Sequence, residues 1–303
     1  MTIDWTKFLG VVELNPTELC NLQCEFCPRA HGYPNQNLHL RPGLVEIVKD
    51  YLIEMDYRGI VCLSGKGEPT LAKHFREICE IILDNPWKTK INTNGKNFDE
   101  YIDLIERFDI VHYDYYDEDW EGFLETVEKY KKYPNIKFWY KPPIDWNQYT
   151  QSYTNRAGSI EGDFKFDTRN KPYQKYCGRP TRKLFIDWNG DYRLCCEDWR
   201  KANKYSKESD YDMYMLENDS EICFGNVLEQ SIEEYLNTNK QLAKYRDNLL
   251  RGDRSLSPCN TCSFRNDDDH EHFLRVLDEY QQHNVQPSHN HEGSNSIPLR
   301  TIE

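Results

Sequence analysis

The sequence predicts an α/β fold: an open or partial barrel of parallel strands, followed by a small domain of one β-hairpin and a helix. Two patterns carry this expectation. From residue 11 to about 141, short β-rich runs alternate with segments of helical periodicity, the arrangement that builds parallel strands with crossover helices. After residue 177 the alternation stops, and two β-rich arms flank Asn189-Gly190, a hairpin signal.

VVEL (11–14) is the first strand and leads straight into a loop with three cysteines. Pro42 opens a helix with Leu44, Val45, Val48, Leu52 and Met55 along its apolar stripe. GIVCLSG (59–65) is the second strand, and Phe75, Ile78, Cys79 and Ile82 mark the next helix. KTKINTNG (88–95) is a strand ending in a glycine turn, followed by a helix with Leu104, Ile105 and Phe108. Strand DIVHYDYY (109–116), a helix with Phe123, Leu124 and Val127, and strand IKFWYKPP (136–143) complete the alternation, and a sixth strand is expected near 164–167. TRKLFIDWNGDYRLCC (181–196) is the hairpin. Ser231 and Glu234 form a capping box that opens one helix running from Ile232 to Leu250. That helix delivers PCNTC (258–262), and a last short helix covers 270–281. The chain thus divides into a barrel core (1–143), the end of the barrel and a linker (144–176), a second domain (177–265), a C-terminal helix (266–283) and a disordered tail (284–303).

The 303 residues allow one large domain plus a smaller one. Asp and Glu number 51 against 38 Lys and Arg, a net charge of -13. An acidic surface repels phosphate backbones and anionic lipid, which argues against nucleic acid or membrane as the main partner. No apolar run approaches the roughly 18–20 residues of a membrane span. The start, MTIDWTKFLG, lacks the regions of a signal peptide, so a cytoplasmic monomer is expected. Eleven cysteines in a reducing compartment point to metal or redox chemistry rather than to disulfides.

NPTELCNLQCEFCPRA (15–30) places Cys20, Cys24 and Cys27 in one short loop. Three thiols in a polar loop between turn-forming residues suit a core poorly. Zinc needs a fourth ligand and usually takes C-x2-C pairs spaced well apart. A ferredoxin-type loop would read C-x2-C-x2-C-x3-C-P, which does not match at the first gap. The third reading is a cubane [4Fe-4S] cluster held at three irons, with the fourth open to a small bidentate ligand.

C-x3-C-x-aromatic-C, as Cys20, Cys24, Phe26 and Cys27, resembles the signature of the radical S-adenosylmethionine (SAM) superfamily. The resemblance covers the first half of the chain and most of the second. It implies a partial (β/α)6 barrel with its chemistry at the C-terminal strand ends, where the cysteine loop falls. It also implies that the open iron takes the amino and carboxylate groups of SAM. SGKGEP, at the end of the second strand, resembles the family's Gly-Gly-Glu motif, with Lys66 inserted. On that likeness Gly65, Gly67 and Glu68 offer carbonyls and a carboxylate to the SAM ammonium; on bare physics the stretch is a glycine turn. Asn92, Thr93 and Asn94 are candidates for ribose contacts, or a plain turn. Phe26 is expected near the adenine. Arg156, in NRAG, is either a planar fork for a carboxylate or a surface arginine. One electron from the cluster would split SAM into methionine and a 5'-deoxyadenosyl radical, which takes hydrogen from an unactivated C–H bond. A flavodoxin or ferredoxin is the expected electron donor.

Cys177, Cys195, Cys259 and Cys262 form a second set, with four residues between Gly190 and Cys195. The spacing resembles the twitch relative of the SPASM domain, which implies one auxiliary [4Fe-4S] cluster closed by four thiolates. Structural zinc on the same cysteines is the competing reading. Cys62, Cys79 and Cys196 read as structural thiols. Cys223 sits between the auxiliary ligands in NDSEICFGNV, with acidic flanks that favour the neutral thiol. It is either a hydrogen-atom donor, as the resemblance to radical-SAM epimerases of peptides and sugars implies, or a structural thiol. Asp210 in ESDYD is an acid–base candidate or part of a solvated loop. Tyr113, Tyr115, Tyr116, Trp139 and Tyr140 fall at strand ends, either lining a groove for a peptide or sugar-like substrate or packing in the core. The expected function is hydrogen abstraction at an sp3 C–H, leaning to epimerisation. A dehydrogenase or crosslinking enzyme, and a non-catalytic iron–sulfur or zinc protein, are the rivals.

Overall fold

The structure, a computed structural model, describes residues 3–141, 154–161, 177–199, 223–264 and 270–284. Strands β1 (Val11–Leu14), β2 (Ile60–Leu63), β3 (Lys88–Thr93), β4 (Ile110–Tyr115) and β5 (Ile136–Tyr140) fall inside the expected runs. They alternate with helices α1 (Pro42–Glu54), α2 (Phe75–Ile82), α3 (Ile102–Ile105) and α4 (Trp120–Tyr130). A short helix α5 (Arg179–Arg182) precedes the hairpin of β6 (Lys183–Ile186) and β7 (Tyr192–Arg193). Gly190 turns that hairpin with a φ of 87°, open to glycine at little cost.

These strands form one sheet in the order β5-β4-β3-β2-β1-β6-β7. All neighbours pair parallel except β6 with β7. The sheet does not close on itself, as in a partial barrel. The expected strand near 164–167 lies outside the described residues; among the described residues the sixth parallel strand is the first arm of the hairpin. β1 is buried along its whole length, so the edge it turns away from β2 needs backbone partners. Lys183–Ile186 supplies them, with Glu13 opposite Phe185. The second cysteine region therefore grows from the same sheet as the first.

Side chains alternate across each strand. Val12, Leu14, Val61, Leu63, Ile91 and Ile186 join Val48, Leu52, Phe75 and Ile78 of the helices in one core. Cys79 belongs to this core, as expected. Glu13, Cys62 and Phe185, one register row on the other face, are also buried. They stand outside the helix-covered core and form the inner face of the barrel.

The single helix expected from Ile232 to Leu250 is two helices, α6 (Ile232–Thr238) and α7 (Lys240–Leu250). Asn239 breaks it, with extended backbone at φ -67°, ψ 111°. Its side chain accepts from the Leu242 N–H at 2.9 Å and donates to the Phe224 carbonyl at 2.5 Å. A short polar side chain satisfies backbone groups better there than helix continuation does. Ser231 caps α6 through the Glu234 N–H. The last helix, α8, runs His270–Asn284. Asn239→Ala should lower unfolding free energy by about 1 kcal/mol, read by denaturant titration, because the α7 cap is lost.

Candidate functional site

β1 ends at Leu14, and the chain turns at once into the three-cysteine loop. Asn35 clamps Cys20, accepting from its N–H and donating to its carbonyl, both at 2.9 Å. The Cys27 N–H donates to the Cys24 carbonyl at 2.9 Å, and Cys27 then caps a 3-10 turn over Pro28–His31. Burial raises the Cys20 and Cys24 thiols, and the charges of Cys27 and Cys20 help carry Cys24 to about 12. A bound cation would be needed to hold Cys20 and Cys24 as thiolates.

A buried charge network fixes this loop. Arg29 donates to the Lys66 carbonyl through Nε at 3.0 Å and through its terminal nitrogen at 2.6 Å, and it also donates to the Glu18 carbonyl. The Lys66 ammonium donates to Asp187 at 2.6 Å and lies 3.6 Å from the Glu18 carboxylate. Asn15 donates to both acids, at 3.1 Å to Glu18 and 2.7 Å to Asp187. Burial raises Glu18, whereas Lys66 and Arg193 outweigh burial at Asp187 and hold it low. The spacing of motif residues reveals none of this. Lys66 showed only as an intruder in the glycine motif, and Asp187 comes from a hairpin 121 residues away.

The glycine motif serves the same loop. A side chain at Gly67 would collide with the Thr17 and Leu19 carbonyls, and one at Gly65 with the Asn15 side chain. Glycine here lets the end of β2 lie against the cysteine loop. Glu68 accepts from Thr70 at 2.8 Å, from the Thr93 hydroxyl at 2.6 Å and from the Asn94 N–H at 2.8 Å. Burial raises its carboxyl despite these donors. Thr93 and Asn94 are thereby engaged within the fold, Asn94 also donating to Asn21 at 2.8 Å. Asn92 differs: it donates to Ser64 at 3.0 Å, and its Oδ1 is buried without a partner. Of the three polar residues, Asn92 has an acceptor left for a ligand. Phe26 packs on Tyr116 with centroids 5.4 Å apart.

The strand-end aromatics divide. Tyr113 is core, 5.0 Å from Phe98, and Tyr115 and Tyr140 pack with Phe123 beside α4. Trp139 is half exposed on the inner face, beside His112. Burial lowers His112 to about 4, so the ring is neutral.

The second cysteine set converges. Cys262 lies in electrostatic reach of Cys177, Cys195 and Cys259. Burial pushes Cys262 up to about 12 and Cys195 well above its ordinary value. Residues 154–158 brace the C-x2-C turn: Asn155 accepts from the Ser263 N–H at 2.8 Å and donates to the Thr261 carbonyl at 2.6 Å. The same segment carries Arg156, 3.3 Å from Glu197 and in electrostatic reach of Cys27. Arg179 holds Glu197 at 2.9 Å and the Cys196 thiol at 2.8 Å. Burial would raise Glu197, but Arg156 and Arg179 outweigh it and keep the carboxyl at about 2. Arg156 is therefore partly buried, with its guanidinium paired to Glu197. Glu197, Arg179 and Cys196 carried no motif signal.

Among the described residues no three Cys, His, Asp or Glu side chains close to the spacing of a single metal ion. A cubane does not ask for that spacing, since each thiolate caps a different iron. The Cys223 thiol donates to the Gly225 carbonyl at 3.2 Å. Asp210 lies outside the described residues.

A partial parallel barrel with three thiols at the end of β1 and four more beside its open edge defines an iron–sulfur protein of the radical SAM type. The Radical SAM superfamily model matches residues 14–139. A SPASM model, an iron–sulfur cluster-binding domain, matches residues 177–263. The structure is similar to BtrN in complex with AdoMet and 2-DOIA, with TM-score 0.64, 18% identity, and 86% of this chain and 94% of that one covered. BtrN in an open conformation gives TM-score 0.55 at 17% identity, covering 85% and 92%. The AdoMet-bound anSMEcpe gives 0.50 at 14% identity, covering 91% and 96%. No curated protein matches by sequence. Residues 14–139 carry a radical SAM domain and residues 177–263 a SPASM-type region. Its cofactors are SAM, a [4Fe-4S] cluster in the radical SAM domain and auxiliary iron–sulfur in the SPASM region. Among the described residues no helix is long and apolar enough to cross a membrane.

Lys66→Met leaves two buried carboxylates without their ammonium. It should destabilise the protein by about 3–5 kcal/mol, seen as a fall in melting temperature of the reconstituted protein.

Proposed function

We propose that this radical SAM enzyme takes a hydrogen atom from an sp3 carbon of a peptide or sugar-like substrate and returns one from Cys223, so that the net change is epimerisation. One observation supports the donor: the Cys223 thiol stays protonated. Burial first, then the charge of Asp191, pushes it up to about 12, and its S–H points at the Gly225 carbonyl. Cys20, Cys24 and Cys27 would hold the SAM cluster, and Cys177, Cys195, Cys259 and Cys262 one auxiliary [4Fe-4S] cluster. SAM on the reduced cluster supplies the hydrogen-abstracting radical. Gly65, Gly67 and Glu68 would bound the SAM methionine group, Asn92 would reach the ribose through its unpartnered oxygen, and Phe26 with Tyr116 would flank the adenine. Arg156 would serve the space between the sites and not the solvent. Donation breaks the Cys223 S–H bond and forms the substrate C–H bond. It leaves a sulfur radical that takes one electron, from a flavodoxin- or ferredoxin-type donor, and one proton.

A dehydrogenase is the second reading. Arg179 lies within electrostatic range of Cys177 and Cys195, which supports a route by which the auxiliary cluster would take an electron from a substrate radical. The likeness to BtrN with bound 2-DOIA supports a small-molecule substrate.

Anaerobically reconstituted, reduced protein should convert SAM to 5'-deoxyadenosine, and failure to do so would falsify the enzyme reading. With 2-DOIA and short peptides as substrates in deuterated water, the product should gain one deuterium. Cys223→Ala should form 5'-deoxyadenosine without that product. An oxidised product lacking deuterium, unchanged in Cys223→Ala, favours the dehydrogenase. Metal analysis separates the auxiliary readings: replacing Cys20, Cys24 and Cys27 together by Ala should leave roughly half the iron, and zinc in its place would rule out the auxiliary cluster.

A further inference from the structure

The inner face of the barrel holds a carboxylate that the fold does not use. Glu13 lies at the middle of β1, with strands on both sides, and is 8% exposed. It makes no hydrogen bond or ion pair with any described residue. Its lateral neighbours are Cys62 and Phe185, which cannot balance its charge. Lys90, beside Cys62, and Lys183, beside Val11, share the face without pairing with it.

In the segment after β7, Cys196 lies within electrostatic range of Glu13 and is tied by Arg179, which holds Glu197 and, through it, Arg156. Glu13 stands one residue before the end of β1, where the chain enters the three-cysteine loop.

A carboxylate this enclosed is costly to leave unpaired. The partner that removes the cost best is a charge-assisted N–H donor. The chain's net charge of -13 also favours cations over anions near its surface. We propose that Glu13 is a substrate-recognition residue whose carboxylate takes a protonated amine of the substrate inside the barrel. This rests on the proposed function above and narrows it: the substrate carries an amine within reach of the abstracted hydrogen. A neutral hydroxyl is the competing occupant.

The test uses reconstituted protein with SAM and two probes of one shape, cyclohexylamine and cyclohexanol, bound by calorimetry. Wild type should favour the amine by about tenfold or more. Glu13→Gln, which keeps shape and loses charge, should abolish that preference. Equal affinity for both probes, no binding of the amine, or a preference that survives in Glu13→Gln each overturns the proposal. If Glu13→Gln does not fold, Glu13→Asp serves: it should weaken the amine and leave the alcohol unchanged, and unchanged amine affinity counts against Glu13. Formation of 5'-deoxyadenosine by the same wild-type preparation reads the parent function separately. Protein that cleaves no SAM yet prefers the amine sinks that function alone.

Discussion

The Lys66 ammonium meets Asp187 of the hairpin and Glu18 of the cysteine loop in one buried place. Arg29 binds the Lys66 carbonyl from the other side. Every segment that builds the site passes through this contact: the end of β1, the glycine turn after β2, the turn after Cys27, and the end of β6. Opposite charges buried together hold only if each is matched. The network is therefore a geometric constraint more than a source of stability. It lets a three-cysteine loop of little internal regularity keep one shape, and it registers the second cysteine region against the first.

A second set of charges spans the space between the thiols. Arg156, Glu197 and Arg179 are linked in a row, with Cys27 near one end and Cys196 at the other. Two guanidinium groups on one carboxylate leave a surplus of positive charge.

The thiols share a physical condition. Burial and mutual repulsion raise Cys24, Cys195 and Cys262 far above neutrality. A protein without metal would hold them as neutral thiols, so iron binding and proton release are linked. Cys223 is raised as well, by burial and the charge of Asp191.

Local chemistry alone determined a good part of this protein. The first five strands, the helices between them and the Asn189-Gly190 turn follow from periodicity and turn residues, which act within a few positions. The radical SAM and SPASM regions were legible because cysteine spacing is itself a sequence property. Other features were not legible, because they depend on distant segments meeting. β6 became the sixth barrel strand because β1 had an open edge to fill, a demand that no local pattern records. Asn239 split a continuous apolar stripe because the Phe224 carbonyl stood within its reach. Lys66 looked like a blemish in a motif until Asp187 arrived beside it. Glu13 read as one polar residue in a strand, and only the face it turns to, away from the helices and toward the cysteines, makes its unpaired charge matter.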